Sequence, residues 1–314
     1  MKVLVTGGAG FIGSFLCERL LDEGKEVICL DNLSTGKKSN IEHLLKKQKF
    51  EFLEHDVTKP IELKIDFIFH MASPASPVDY QRLPIETSMA NSIGTLNMLE
   101  LARKNRVRFL LTSTSEVYGD PSEHPQKETY WGNVNPFGVR SCYDESKRFA
   151  ETLTMIFFRK YGLDVRIARI FNTFGSKMRK DDGRAIPNFI VQALSGQPIT
   201  VYGDGKQTRT FCYISDMING LVKLMFTDGL SSQVVNLGNT KERSIVSVAE
   251  FIKDLTKSKS EIIFKPLPED DPTKRKPDIT KAKKLLNWEP KVDFVDGLKE
   301  TIEWFKGELV TTNK

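Results

Sequence analysis

Cysteine is scarce in this chain, with 4 among 314 residues, at positions 17, 29, 142 and 212. Their spacing matches no metal-ligand pattern and the number is too small for a disulfide framework, so reduced thiols and a cytoplasmic location are expected, with no metal. Long apolar runs are missing as well. No uninterrupted stretch approaches the ~20 residues of a membrane span, and no signal-peptide pattern precedes the first apolar run at residue 2, so no membrane partner is expected. The chain also has no linker rich in Gly, Ser or Pro, which argues against domains swinging on a tether. Charge of one sign does not dominate either: 46 Lys and Arg against 41 Asp and Glu leave +5. Basic groups such as Lys46-Lys47 and Lys281 to Lys284 have no aromatics between them and read as solvated helix faces, so no nucleic-acid partner is expected.

What the sequence does have is alternation of strand and helix signals. Residues 2–6 read as a buried strand that runs directly into glycines at 7, 10 and 13, followed by helical periodicity from Ser14 to a stop at Gly24. Such glycines give a tight turn, close approach of a pyrophosphate and close helix packing, and the helix N-terminus offers free amides to phosphate. A second strand, 26–30, ends in Asp31, at the distance expected of a carboxylate that holds ribose hydroxyls. NAD is therefore favoured over NADP.

Further strands are predicted at 50–55, 66–70, 107–112 and 164–169, with a long helix over 85–104. The fold class is α/β, a doubly wound, Rossmann-type parallel sheet with a smaller C-terminal α/β lobe, and ligands belong at the carboxyl ends of the strands. Asp31, Asp56 and the turn Met71, Ala72, Ser73 fall at such ends, whereas His70, on an apolar strand without acidic or Cys neighbours, reads as structural. After residue 172 the alternation loosens, with short elements expected at 186–195, 216–228, 234–237, 247–257, 261–264 and 294–306. The expected division is 1–172 for the dinucleotide, with later segments contributing, and 173–314 mainly for substrate.

Chemistry concentrates at Tyr143 and Lys147. On a helix over 142–162 the two share one face a turn apart, and a fixed ammonium near a phenol favours the phenolate. The pair by itself is commonplace on amphipathic helices. Beside it the strand at 107–112 delivers Ser113, Thr114, Ser115 and Glu116, hydroxyls and a carboxylate suited to substrate binding and acid–base work, although such residues also cap turns routinely. A long loop from Gly119 to Gly138, rich in Pro and Gly, separates the two. Lys177 to Arg184 collects four cations around Asp181 and Asp182, which suits either a solvated loop or a place near anionic ligands.

With the glycine motif from Thr6 to Gly13, Tyr143 and Lys147, Arg169 to Asn172, and Thr200 to Phe211 with Asp216, the chain resembles the extended short-chain dehydrogenases/reductases that act as nucleotide-sugar epimerases and dehydratases. Segments 70–77, 119–121, 124–126, 130–136, 140–145 and 270–278 are similar to the branch that decarboxylates UDP-glucuronate to UDP-xylose with tightly bound, recycled NAD. It departs from that branch at Phe137, Val139, Ser146 and in the basic run 177–182.

The resemblance implies that Gly7, Gly10, Phe11, Ile12, Gly13, Asp31, Asn32, Ser34, Thr35, Gly36, Asp56, Val57, Met71, Ala72, Ser73, Tyr143, Lys147 and Thr173 hold NAD. It implies that Ser115, Asn172, Asn188, Tyr202, Gln207, Arg209 and Arg275 hold the UDP-sugar, and that Tyr143, Lys147, Thr114, Glu116 and Arg275 carry catalysis. Tyr143 would take the C4 hydroxyl proton, the 4-ketone would labilise the C5 carboxylate, Thr114 and Tyr143 would stabilise the enolate, and Glu116 with Arg275 would handle carboxylate loss and protonation. A UDP-glucuronate 4-epimerase remains open as an alternative. A 4,6-dehydratase would need Asp where Ser115 stands. A non-catalytic NAD-binding regulator would have lost Tyr143 or Lys147. The resemblance also implies a homodimer through helices 85–104 and 142–160, with Ile93, Leu96, Leu99, Phe149, Leu153, Ile156 and Phe157 as surplus apolar positions.

Overall fold

The structure is a computed structural model that describes residues 1–312. The expected division at 173–314 therefore includes residues 313 and 314, which lie outside the described residues.

Strands β1 (Lys2–Thr6), β2 (Glu26–Asp31), β3 (Phe50–Glu54), β4 (Phe67–His70), β5 (Arg108–Thr114), β6 (Val165–Ile170) and β7 (Gln233–Leu237) form one parallel sheet in the order β7-β6-β5-β4-β1-β2-β3. Because successive side chains in a strand face opposite ways, β1 sends Val3 and Val5 into one apolar cluster and Leu4 into another. Burial on both faces is what a parallel sheet covered by helices requires. Order reverses between β1 and β4, which opens a crevice beyond their carboxyl ends.

Helix α1 (Phe11–Asp22) follows β1, and α2 (Thr95–Asn105) and α3 (Ser141–Tyr161) pack together with the second cluster. The single helix expected over 85–104 is interrupted. A short helix, Pro84–Met89, leads through a π-helical turn, Ala90–Gly94, into α2. Contacts specific to the wide turn accompany it: a Cβ on Gly94 would come within 2.7 Å of Val57, and Asn91 donates to the Ser146 hydroxyl at 3.0 Å. Strand β5 runs two residues beyond the expected end, so Thr114 is delivered by the strand itself.

Two surface assignments are corrected. Leu99 and Phe157 do not lie on an outer stripe: both are buried in the second core cluster, because their helical positions face the sheet. The exposed apolar residues of these helices are Ile85, Met89, Ile93, Leu96, Phe149 and Ile156.

Helix α5 (Ile214–Phe226) returns to the parallel sheet and packs on α1, β5 and β6, while α4 (Ala185–Leu194), α6 (Ile245–Thr256) and α7 (Phe294–Thr312) pack on one another in the smaller lobe. Its strands are too short to announce themselves by periodicity. Thr208–Thr210 lies between Glu242–Ser244 and Lys274–Arg275, and this pairing sets Arg275 opposite Arg209. No helix among the described residues is long and apolar enough to cross a membrane. Cys17, Cys29, Cys142 and Cys212 are free, and no group of three His, Cys, Asp or Glu among the described residues is placed to hold a metal.

Candidate active site

A cavity of about 840 Å³ lies along the carboxyl ends of the strands and reaches into the smaller lobe. Every residue named above as a cofactor ligand, substrate ligand or catalytic group lines it.

At one end the backbone is shaped by glycine. Gly7 has φ +69°, a region costly for other residues, and a Cβ there would sit 2.9 Å from Ala72. A Cβ on Gly13 would be 2.1 Å from the Gly7 carbonyl oxygen, so α1 can approach the turn only with glycine. No side chain caps α1 and no acidic residue stands in its first turn, so the amides of an apolar helix start face the cavity as an anion site. Asp31 closes this end. Its carboxylate accepts from the amides of Ala9 at 3.0 Å and Leu33 at 2.8 Å, and a Cβ on Gly36 would come within 2.9 Å of it. Burial pushes its pKa up while those two amides pull it back. Beside it Asn32 donates to Asp56 at 3.0 Å. An anion-binding helix start, a glycine cradle and a carboxylate at the end of β2 are the donor set a dinucleotide requires, and the residues present fit one.

His70 stands behind this cradle, its Nδ1 2.9 Å from the Thr6 hydroxyl and its Nε2 3.1 Å from the Thr95 hydroxyl. The Thr6 oxygen already accepts from the amides of Met71 and Ala72, so its own proton goes to Nδ1 and Nε2–H donates to Thr95. Burial, with Lys147 adding to it, pulls the imidazole pKa down to about 3. His70 is a neutral structural brace.

Midway along the cavity, α3 presents Tyr143 and Lys147 on its inner face, both buried. Lys147 Nζ donates to the Thr112 carbonyl at 2.9 Å and stands 5.9 Å from the Tyr143 ring centroid. Burial brings its pKa down to about 8, with Glu151 pulling the other way. Tyr143 differs from expectation. Burial pushes its hydroxyl above the usual phenol range; Thr114, hydrogen-bonded to it, pulls back, and Glu116 and Asp144 push further up. Arg184 also pulls it down, and Lys147 is buried with its Nζ turned to the Thr112 carbonyl. The ring of Tyr80 lies against Tyr143, and Tyr80 Oη is buried without a hydrogen-bond partner.

Glu116, at the end of β5, is clamped between two arginines. Arg275 forms an ion pair with Oε1, and Arg140 Nη2 donates to Oε2 at 2.6 Å. Burial pushes this carboxyl up, but the two guanidiniums prevail and hold it well below the usual carboxylate range. Arg275 also donates to the Gly119 carbonyl at 2.8 Å, while its Nε has no partner. Arg275 itself is therefore no surface group, since its side chain is 2 % exposed. Arg209, one strand away, donates to Asp271 at 3.0 Å. Asn172 donates to the Thr210 carbonyl, Asn188 to that of Gly183 and Gln207 to that of Tyr202, at 3.3, 3.0 and 2.7 Å.

Arg140, Tyr80, Asp144 and Glu151, to which no role is assigned from sequence, also surround the Tyr143 and Lys147 pair. Arg140 and Asp144 flank Tyr143 within the start of α3, where a charge beside a buried tyrosine is a signal in itself. Asp144 is buried, and burial together with Glu116 raises its pKa to about 8. Glu151, one turn past Lys147, accepts from the Ser113 hydroxyl at 2.6 Å and pairs with Arg169 at 2.7 Å. Tyr80 lies on the short helix Pro77–Arg82, which no periodicity marks.

This is the site of a dinucleotide-dependent enzyme with a Tyr/Lys pair. A family model described as GDP-mannose 4,6 dehydratase matches residues 4–301. The chain is 54% identical over 314 residues to UDP-glucuronic acid decarboxylase 1 of Arabidopsis thaliana, covering 100% of this chain and 72% of that protein. It is 54% identical over 308 residues to UDP-glucuronic acid decarboxylase 1 of Danio rerio, covering 98% and 73%. Among solved structures it is similar to UDP-glucuronic acid 4-epimerase from Bacillus cereus in complex with UDP-glucuronic acid and NAD, with TM-score 0.90 and 30% identity over 98% of this chain and 100% of that one. The chain belongs to the nucleotide-sugar epimerase and dehydratase family of short-chain dehydrogenases/reductases that this model describes.

Proposed function

We propose that this chain is an NAD-dependent carboxy-lyase that converts UDP-glucuronate to UDP-xylose and carbon dioxide. The observation that carries the reading is Glu116 held between Arg275 and Arg140 beside Thr114 and Tyr143. Two cations and two hydroxyls side by side support the handling of a sugar carboxylate and a C4 oxygen at one site. The names of the relatives support the same chemistry.

The glycine turn, the start of α1, Asp31 to Gly36 and the ends of β3 and β4 would hold NAD, which when bound would supply hydride-transfer chemistry and a positive charge to the site. Tyr143 takes the proton of the C4 hydroxyl, with Lys147 stabilising the phenolate. The resulting 4-ketone makes the C5 carboxylate a β-keto acid. When the C5 carbon–carboxyl bond breaks, its electron pair passes into an enolate whose oxygen lies between Thr114 and Tyr143 hydroxyls. Arg275 orients the departing carboxylate, and Glu116, kept ionised by its two arginines, orients a water molecule that carries the proton from solvent to C5. Tyr143 then returns its proton to O4. Ser115, Asn172, Asn188, Tyr202, Gln207 and Arg209 hold the UDP-sugar. Ser115 in place of an acid leaves no donor for eliminating a C6 hydroxyl, which disfavours a dehydratase.

In the same reading residues 1–172, completed by β7, bind the dinucleotide and 173–314 mainly the nucleotide sugar. The protein acts in the cytoplasm as a homodimer, with the two-fold contact on Pro84–Met89, α2 and α3. Incubation of the purified protein with UDP-glucuronate tests the activity by mass spectrometry. Loss of one carbon dioxide is expected, while an isobaric product with inverted C4 would make the chain an epimerase and overturn the proposal.

A further inference from the structure

The segment 177–184, whose cations could face solvent or ligand, brings Lys177, Arg179 and Arg184 to the cavity wall and is fastened to the rest of the chain. Lys177 pairs with Glu18 of α1, and Lys180 donates to the Glu308 carbonyl of α7 at 2.7 Å. Arg179 makes the most unusual set of contacts. Its Nη2 donates to Asp79 Oδ1 at 2.8 Å, its Nη1 to the Thr35 carbonyl at 3.4 Å, and its Nε to Asp181 at 3.2 Å.

The sheet order makes those contacts informative. Thr35 follows β2, Asp79 follows β4, and β1 with its glycine turn lies between those two strands. One guanidinium thus joins the two flanks of the turn. Arg179, Asp79, Thr35 and Gly10 all line the same cavity. Asp79 is itself fixed: it accepts from the Ser76 hydroxyl at 2.7 Å, and its amide donates back to that oxygen at 3.2 Å. The pair is mostly removed from water, with side chains 15% and 5% exposed, so it is screened less than a surface ion pair.

We propose that Arg179 and Asp79 form a clasp across the dinucleotide crevice, which must open for the cofactor to enter or leave. The inference rests on the dinucleotide reading given above. It makes the two residues positioning groups that slow cofactor exchange, a useful property where the same cofactor takes up and returns one hydride.

A gate and an ordinary ligand contact give different kinetics. A contact to the bound molecule changes mainly the dissociation rate, whereas a clasp obstructs both directions. Stopped-flow NADH fluorescence, with displacement by excess NAD, measures both rates on the full chain. Arg179→Ala and Asp79→Asn should each raise association and dissociation by roughly tenfold or more, as expected for breaking a desolvated charge pair. The double variant should be no faster than either single one, because both remove the same link. Asp79→Asn keeps the shape of the side chain and carries the test if Arg179→Ala does not fold. Dissociation that rises while association stays fixed, additive effects in the double variant, or unchanged rates would each overturn the clasp. A parent protein that binds no NADH would overturn the cofactor reading on which it stands.

Discussion

The ring of Tyr80 lies flat on that of Tyr143, with centroids 5.1 Å apart and planes 6° from parallel. The Arg140 guanidinium lies 5.8 Å from the centroid of the Tyr80 ring, so Tyr80 and Arg140 together border the proposed base. Tyr80→Ala removes the stack and opens a void beside Tyr143. It should slow turnover about tenfold and destabilise by about 3 kcal/mol. Tyr80→Phe keeps the ring and deletes a buried hydroxyl that has no partner, so its melting temperature should match or exceed that of the parent. A Tyr80→Ala protein as stable and active as the parent would show that the stack contributes nothing.

Glu116 and Arg275 should act as one unit. Arg275→Ala leaves a buried carboxylate with only Arg140, and Glu116→Gln leaves Arg275 facing an amide. Each should lower the rate of carbon dioxide release by roughly 10²-fold or more, and the double variant should lose far less than the product of the two. Multiplicative losses in rapid-quench measurements would mean that the two residues work independently.

Asp144 makes stability depend on pH. Its folded pKa, about 8, stands above the ordinary carboxylate value because of burial and then Glu116, with Arg140 and Arg275 pulling it down. The folded state therefore holds a proton that the unfolded chain has released, and stability should fall as pH rises from about 4 through 8. Asp144→Asn removes this slope. Its melting temperature should lie about 2 °C or more above the parent at pH 9 and converge with it at pH 4. Parallel melting curves for parent and variant across that range would rule out the assignment.

The dinucleotide end was legible because its requirements are local. A glycine turn between a strand and a helix, and an acid at the end of the next strand, must appear in sequence at fixed distances. The sugar end depends on longer-range pairings. Arg275 reaches Glu116 because a two-residue strand, Lys274–Arg275, pairs with Thr208–Thr210, and no periodicity can be read from two residues. The upward push on the Tyr143 hydroxyl was hidden for a related reason, since spacing sets Lys147 nearby but does not reveal the burial of the phenol. Leu99 and Phe157 were placed outward because apolar helix positions look alike until the sheet beneath them is known.

The exposed stripe on the helices around α3 gives the last prediction. Phe149 is 49% exposed, Ile93 43% and Ile156 39%, and Ile85, Met89 and Leu96 add apolar surface on neighbouring turns. A stripe of this kind on two adjacent helices suits an isologous contact, in which each copy covers the other with the same residues. The inner face of α3 meanwhile carries Tyr143 and Lys147, so whatever fixes the outer face also fixes the proposed proton acceptor. Phe149→Glu would bring two carboxylates together across a two-fold axis and leave the core untouched, unlike a change at buried Phe157. Light scattering should show the parent as a dimer at micromolar concentration and Phe149→Glu as a folded monomer, with turnover reduced about tenfold through loosening of α3. A monomeric parent, or a Phe149→Glu variant that remains dimeric, would place the interface elsewhere.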